Sequence, residues 1–360
     1  MVTSFDYSSA FDTIGGDVLL SKLKKLDAAE KTIDFFTSYF SGGRQCVTWN
    51  GKRSAFVPVS SCCRQGSILG PLLFLLAASD VVDTLALPVV YADDTTGAAT
   101  DERKAQEEIN ALEAASASLG LTLNGGKTQA IVLGSKTSDV VLHVDGASVY
   151  PGTTLDILGF CVDFKLGTDV YTSKLLKDLR KNLGVLRMLK HRVSKFELRD
   201  FAHGIMIGKL ATYLANCFVV RLTPEEPICG RAAALQVVVN DLARLLANRR
   251  RSDHVEISEL LSLAKVPSVN QLVARDAVSM MWTALVAGKG PLVSVLSSLR
   301  PASSTRAATC GKLNTPAGSN AIVVSGCKLW NVYHADLVTI KSKNSLKKFV
   351  TTKIWGDIPI

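Results

Sequence analysis

Two short apolar stretches of this chain run straight into carboxylates. They are Phe5-Asp6-Tyr7-Ser8-Ser9-Ala10-Phe11-Asp12 near the start and Tyr91-Ala92-Asp93-Asp94 after the apolar run from Leu87. Apolar runs of about 4–8 residues bounded by turn signals read as strands, so each pattern sets acids at a strand's end. Three carboxylates brought together repel one another and raise their own pKa values unless a cation neutralises them. Hard oxygen ligands suit Mg²⁺, which keeps open positions for substrate phosphates. Two such ions ~3.5–4 Å apart can clamp the attacking and leaving oxygens of an in-line phosphoryl displacement. An Asp-Asp pair taken alone is more often a turn or solvated surface.

The surrounding pattern alternates strands and helices. Residues 1–6 predict a strand and Asp17–Leu26 the beginning of a helix. Gln45–Thr48 and Ser54–Val59 flank Asn50-Gly51, a strong signal for a tight hairpin turn. Pro71 suits the first turn of a helix through Leu72–Val82. Leu87–Ala98 predicts a hairpin whose tip exposes two carboxylates. Ile109, Leu112 and Leu119 mark a further helix, which Gly120 is placed to end. Leu121–Leu123, Ala130–Leu133, Val140–Val144 and Leu155–Val162 predict more strands. The expected class is α+β, with a mainly antiparallel sheet and packed helices.

Charge is unevenly distributed. Up to Val170 there are 13 basic and 20 acidic residues, and after it 28 basic and 12 acidic, within a net charge of +9. That asymmetry suggests an acidic site joined to a surface that holds a polyanion, although a solvated basic face would have the same composition. In the basic half, Leu176, Leu179, Leu183 and Leu186 recur at helical steps among Lys174, Lys177, Arg180, Lys181, Arg187 and Lys190, which predicts an amphipathic helix. The eight cysteines lack the short spacings of a zinc site and predict reduced, mostly buried thiols. The scattered histidines predict no metal ligands. The longest apolar stretch, Ile68–Ala78, is broken by Gly70 and Pro71 and falls short of the ~18 residues of a membrane span. Without a visible secretory signal, the expectation is an intracellular protein, cytoplasmic, nuclear or both.

Two more segments carry candidate chemistry. Arg64-Gln65-Gly66-Ser67-Ile68-Leu69-Gly70-Pro71 places small residues at a helix start, where Gly66 would permit close backbone approach to a nucleotide; an ordinary loop reads the same way. Gly120-Leu121-Thr122-Leu123-Asn124-Gly125-Gly126-Lys127-Thr128 presents Lys127 either to a phosphate or as a proton donor, or simply as a solvated side chain.

Taken in order, FDYSSAFD, RQGSILGPLLF, YADD, GLTLNGGKT and ILGFCVD resemble the palm motifs of reverse transcriptases from non-LTR, LINE-type retrotransposons. The resemblance implies a polymerase palm over 1–166, a helical basic thumb over 167–255 and a mostly helical C-terminal region over 256–360. It implies an RNA-directed DNA polymerase acting on an RNA template, a DNA primer and deoxynucleoside triphosphates, with two Mg²⁺ ions, or Mn²⁺ in their place. By resemblance, Asp6, Asp93 and Asp94 match the metal-binding catalytic carboxylates and Lys127 the candidate general acid. Phe11 matches the aromatic that crowds the sugar's 2′ position, Gln65 and Gly66 the nucleotide and template contact, and Leu158-Gly159 the primer grip. Lys174, Lys177, Arg180 and Lys181 would hold the duplex by its phosphates, in salt-sensitive contacts. In RNA-dependent RNA polymerases the position of Phe11 is typically an Asp, so its ring favours DNA synthesis. Leu235–Asn248, LWNVYHADL and SLKKF match later parts of the family more weakly.

The sequence also departs from the family. It begins five residues before Asp6, where the family has fingers and commonly an upstream endonuclease, so it reads as part of a longer polyprotein. Cys62-Cys63-Arg64 replaces a Gly-x-Pro lead-in, and Ile157 stands where an aromatic is common. The rival expectations are a catalytically inactive nucleic-acid-binding remnant, an RNA-dependent RNA polymerase, and a structural acidic pair in an unrelated fold.

Overall fold

The computed structural model describes residues 1–8, 10–59, 63, 66–290, 292–300, 311–316 and 321–360. The chain divides into two compact units, Met1–Gly167 and Thr168–Ile360. The class is α+β and the sheets are antiparallel. No helix among the described residues is long and apolar enough to cross a membrane.

The first unit is organised by β1 (Val2–Phe5), which lies inside a four-stranded sheet. Helices α1 (Ala10–Thr13), α2 (Gly16–Lys25) and α3 (Glu30–Phe40) follow it. A bent ribbon comes next: β2 (Arg44–Gln45) pairs with β5 (Val57–Pro58), and β3 (Thr48–Trp49) with β4 (Lys52–Arg53). Its turn is the expected Asn50-Gly51, both at positive φ. Helix α4 (Gly70–Val82) starts where Ser67 Oγ accepts the Gly70 N–H at 2.9 Å and Pro71 needs no N–H partner.

Next are β6 (Val89–Tyr91), β7 (Asp94–Ala98) and α5 (Glu102–Ser118). Asp101 caps α5 by accepting the Lys104 N–H, a bond that holds its carboxyl below the usual carboxylate range. Gly120, at φ +76, follows the helix end. Strand β8 (Gln129–Ile131) completes the sheet in the order β6-β7-β1-β8, and the hairpins β9 (Leu142–Val144)/β10 (Ala147–Val149) and β11 (Thr154–Ile157)/β12 (Phe160–Asp163) lie beyond it.

Thr3 and Phe5 of β1 are buried in alternation with Val2 and Ser4. Phe5 belongs to a core that includes Leu19, Leu73, Phe74, Ile109 and Leu112, so the helices cover that face of the sheet. Alternation carried one residue further sends Asp6 to the other face.

Several expectations change in detail. Leu121–Leu123 forms no strand and contributes a single bridge, Leu123 to Tyr7. Leu155–Val162 is a hairpin, because Leu158 and Gly159 both take positive φ. Helix α3 was not anticipated, although Ile33, Phe36 and Phe40 recur at helical steps and Phe36, Tyr39 and Phe40 pack, partly buried, against the core.

The second unit is helical. It opens with α6 (Asp169–Leu189), whose buried face is Tyr171, Leu175, Leu179, Leu183 and Leu186, while Leu176 is only half-buried. Then come α7 (Lys195–Ala202), a π-helical turn His203–Ile207, α8 (Gly208–Ala211) and α9 (Leu214–Cys217). Helix α10 (Gly230–Ala247) packs against α6 and α11 (Ile257–Ala264). The centre of the unit is α12 (Val269–Leu285), lying on α14 (Ala321–Leu337), with α13 (Leu292–Ser298) beside α12. Helix α15 (Lys343–Phe349) runs into a second π-helical turn, Val350–Ile354. Among the described cysteines, Cys63, Cys161 and Cys327 are buried.

Candidate active site

Strand register brings Asp6 and Asp94 to neighbouring positions. β1 pairs with β7 antiparallel, Phe5 opposite Thr95, so the next position sets Asp6 against Asp94. Residues directly opposite in an antiparallel pair have Cβ atoms ~4.5–5.5 Å apart. β6 and β7 are joined by the two-residue loop Ala92-Asp93, with Tyr91 opposite Asp94 and Ala92 at φ +55. Asp93 is therefore at the tip beside Asp94.

The electrostatics agree with this placement. Asp94 has its carboxyl held above the usual range, first by partial burial and then by the charges of Asp93 and Asp6. The acids interact without collapsing into a closed cage: among the described residues no group of three or more His, Cys, Asp and Glu side chains is arranged as a metal site.

On its other side β1 pairs with β8, Ser4 opposite Gln129, and the turn Asn124–Thr128 brings Lys127 back to Asp6. Lys127 Nζ stands 3.6 Å from Asp6 Oδ2. That separation is an ion pair too long for a hydrogen bond, and Asp6 Oδ2 is shielded from solvent with no hydrogen-bond partner. A shielded carboxylate oxygen without a donor is unusual, and it fits a cation ligand. The donor set also fits: three carboxylates offer only hard oxygens.

The same turn holds Asp6 by its backbone. Asn124 N donates to Asp6 O at 2.7 Å, Asp6 N donates to Thr128 Oγ1 at 3.5 Å, and Ser8 N donates to Thr122 O. Tyr7 is buried beneath, its hydroxyl 3.4 Å from Ser116 Oγ, and burial pushes its phenol above the usual range. Asn124, Thr128 and Tyr7 are positioning residues that sequence reasoning passed over. Their signal was present in the tight Asn-Gly-Gly turn and in the polar residues flanking it.

Phe11, on α1, stacks on the fully buried Phe74 of α4 with ring centroids 4.5 Å apart. Gly66 has φ +80, and a Cβ there would meet nothing within 4 Å. Its backbone thus needs glycine for conformation and also faces open space. Gln65, Cys62 and Arg64 lie outside the described residues.

Leu158 and Gly159, at φ +52 and +82, form the two-residue turn of β11/β12, and Leu158 is exposed. A left-handed leucine costs about 1 kcal/mol or more, whereas Asn-Gly is the favoured pair for such a turn. Leu158→Asn is expected to stabilise the protein by about 1 kcal/mol, seen as a higher Tm. An unchanged or lower Tm would show that the leucine side chain makes a compensating contact.

In the second unit, Lys174, Lys177, Arg180 and Lys181 are all exposed on α6, and none makes a salt bridge to a described residue. The acid between them, Asp178, accepts from Lys209 Nζ at 2.6 Å, a bond that holds its carboxyl below the usual range. The Arg249–Arg251 run is partly neutralised, since Arg251 pairs with Asp241 at 2.9 Å.

Residues 1–162 match the family model described as reverse transcriptase (RNA-dependent DNA polymerase). A curated relative, the putative 115 kDa protein in type-1 retrotransposable element R1DM of Drosophila melanogaster, is 29% identical over 140 residues. The matched stretch covers 36% of this chain and 13% of that protein, so the chain spans a small part of the relative's length.

Proposed function

We propose, from the match of residues 1–162 to the reverse transcriptase family model, that the chain is an RNA-directed DNA polymerase of the non-LTR retrotransposon type whose nucleotidyl-transfer site is the Asp6–Asp93–Asp94 cluster. The observation that carries this reading is the double register of β1, which sets Asp6 between Asp94 and Lys127.

In this reading Asp6, Asp93 and Asp94 hold two divalent ions, Mg²⁺ or Mn²⁺. Bound there, such ions would offset the charge of the transferring phosphoryl group and of the attacking and leaving oxygens. The protein's own groups do the rest. Lys127, largely exposed and beside Asp6, offers a positive charge and a proton to the departing pyrophosphate. Phe11, braced by Phe74, occupies the space a ribose 2′-hydroxyl would need and so favours deoxynucleotides. Gln65 and the open backbone of Gly66 contact the incoming nucleotide and template. The Leu158-Gly159 turn grips the primer. The basic face of α6 takes the phosphates of the template–primer duplex through Lys174, Lys177, Arg180 and Lys181.

The test is primer extension on an RNA template by the intact chain, with Asp93→Ala as control. Template-directed incorporation of deoxynucleotides that disappears in the control is expected. No incorporation above the control, with salt-dependent RNA binding retained, would instead identify a nucleic-acid-binding remnant. Preference for ribonucleotides would overturn the role given to Phe11.

A further inference from the structure

The second unit holds a groove of about 670 Å³. Its lining includes Lys265, Arg275 and Lys347, the hydroxyls of Ser262 and Thr352, and the half-exposed indole of Trp355, with no Asp or Glu among the lining residues. The ammonium groups of Lys265 and Lys347 have no acid or hydrogen-bond acceptor among the described residues. Arg275 donates Nε to Asp276 at 2.7 Å and so is the better anchored of the three cations.

Two local features of the backbone converge on this groove. Both π-helical turns of the unit, His203–Ile207 and Val350–Ile354, contribute to its wall. Such turns interrupt the regular hydrogen-bond ladder and occur often at functional sites. Lys265 closes α11 at φ +56, a conformation in which glycine is favoured and a β-carbon is penalised. Its ammonium adds a positive charge to the lining of the groove.

We propose that this groove binds a single-stranded nucleic-acid segment, with Lys265 and Lys347 on its phosphates and Trp355 as a stacking surface for a base. Cations along a groove with an aromatic face are what a strand with a flexible backbone and exposed bases requires. That the phosphate-bearing ligand is a nucleic acid rests on the polymerase reading above; the charge and shape of the groove do not.

The test uses the full chain and fluorescence anisotropy with a labelled single-stranded RNA, a duplex of the same sequence, and inorganic phosphate as competitor. In Lys265→Glu/Lys347→Glu, single-strand binding at about 0.1 M salt is expected to weaken by roughly tenfold, and the log–log salt slope to become shallower by about 1.4, the share of two phosphate contacts. A second variant, Lys265→Gly, is expected to raise Tm while weakening the same binding, a combination that unfolding cannot produce. Three results would overturn the proposal: unchanged affinity and slope in the double variant, weakening confined to the duplex, or saturation of the groove by inorganic phosphate with strand binding unaffected. Failure of the unaltered chain to extend a primer would remove the polymerase reading without moving this binding comparison.

Discussion

In Asp94→Asn, nucleotide incorporation is expected to fall by on the order of 10³-fold or more, while the protein becomes more stable. The two effects have one origin. Register continued one step past the last β1–β7 pair, Phe5 with Thr95, sets Asp94 against Asp6, and Asp94 adjoins Asp93 at the hairpin tip. Like charges directly opposite in a sheet are destabilising, with pair terms of about 0.2–1 kcal/mol. Asparagine keeps the shape and removes one charge, so with divalent ions chelated the variant should melt higher. On the proposed mechanism it would also lose a ligand oxygen for ions that stabilise several kcal/mol of transition-state charge, and each 1.36 kcal/mol is about tenfold in rate.

The pH dependence follows from the same repulsion. Burial and its two neighbours hold the Asp94 carboxyl above the ordinary range, so the folded chain keeps this proton at pH values where the unfolded chain has released it. Stability in chelator therefore falls as pH rises through that interval, and the Asn variant should lack this component. Thermal melts with and without Mg²⁺, beside single-turnover extension, check both halves. A variant that is less stable in chelator, or that still extends primers at the parental rate, would break the link between repulsion and ion binding.

The second large effect is expected at Gly125. A β-carbon there would overlap the Val144 carbonyl oxygen and sit 2.7 Å from Ala147 Cβ. Both obstacles belong to the β9/β10 hairpin, which is anchored on α5: Gln106 exchanges two hydrogen bonds with His143, and Glu113 accepts from Asp145 N. The hairpin cannot yield, so the Asn124–Thr128 turn must move. Gly125→Ala is expected to cost about 1–3 kcal/mol, the range of overpacking strain. Because Lys127 and the Asn124 N–H that holds Asp6 move together, it should also lower incorporation by up to about 10²-fold. Gly126→Ala is the control. Its β-carbon meets only Asn124 Oδ1 at 3.5 Å, an ordinary contact, so stability within about 0.5 kcal/mol of the parent is expected. Denaturant melts of the two variants separate the cases, and equal losses would mean that strain at Val144 does not govern the turn.

Much of this site was legible because its key residues occupy chemically unambiguous places. Acids at strand ends, a two-residue hairpin tip and a glycine-rich turn each have a local signature; β1, α4 and the β6/β7 hairpin appear close to their expected bounds, and α5 ends just before the expected Gly120. What joins Asp6 to Lys127 was not legible from the sequence pattern. It depends on pairing β1 with β8, and no local pattern specifies which strands become neighbours. Helix α3 was missed although its trace was present: Ile33, Phe36 and Phe40 recur at helical steps, and Phe36, Tyr39 and Phe40 pack against the core. Of the leucine stripe expected on α6, Leu179, Leu183 and Leu186 are buried, and only at its start does Leu175 take the place expected for Leu176. At 3.6 residues per turn, neighbouring positions differ by about 100°, and the edge of an apolar face is ambiguous by one residue.

The placement of β1 between two strands that lie far along the chain has a consequence for how the protein is made. Asp6 is bound to Thr128 across 122 positions, and contacts of such long range form slowly because the intervening loop must first be closed. During synthesis the earliest acid leaves the ribosome long before its partners exist. A nascent chain halted ahead of β8 would carry all three carboxylates but lack one flank of the strand that aligns them, so the cluster takes its final form only once the turn after α5 has been translated.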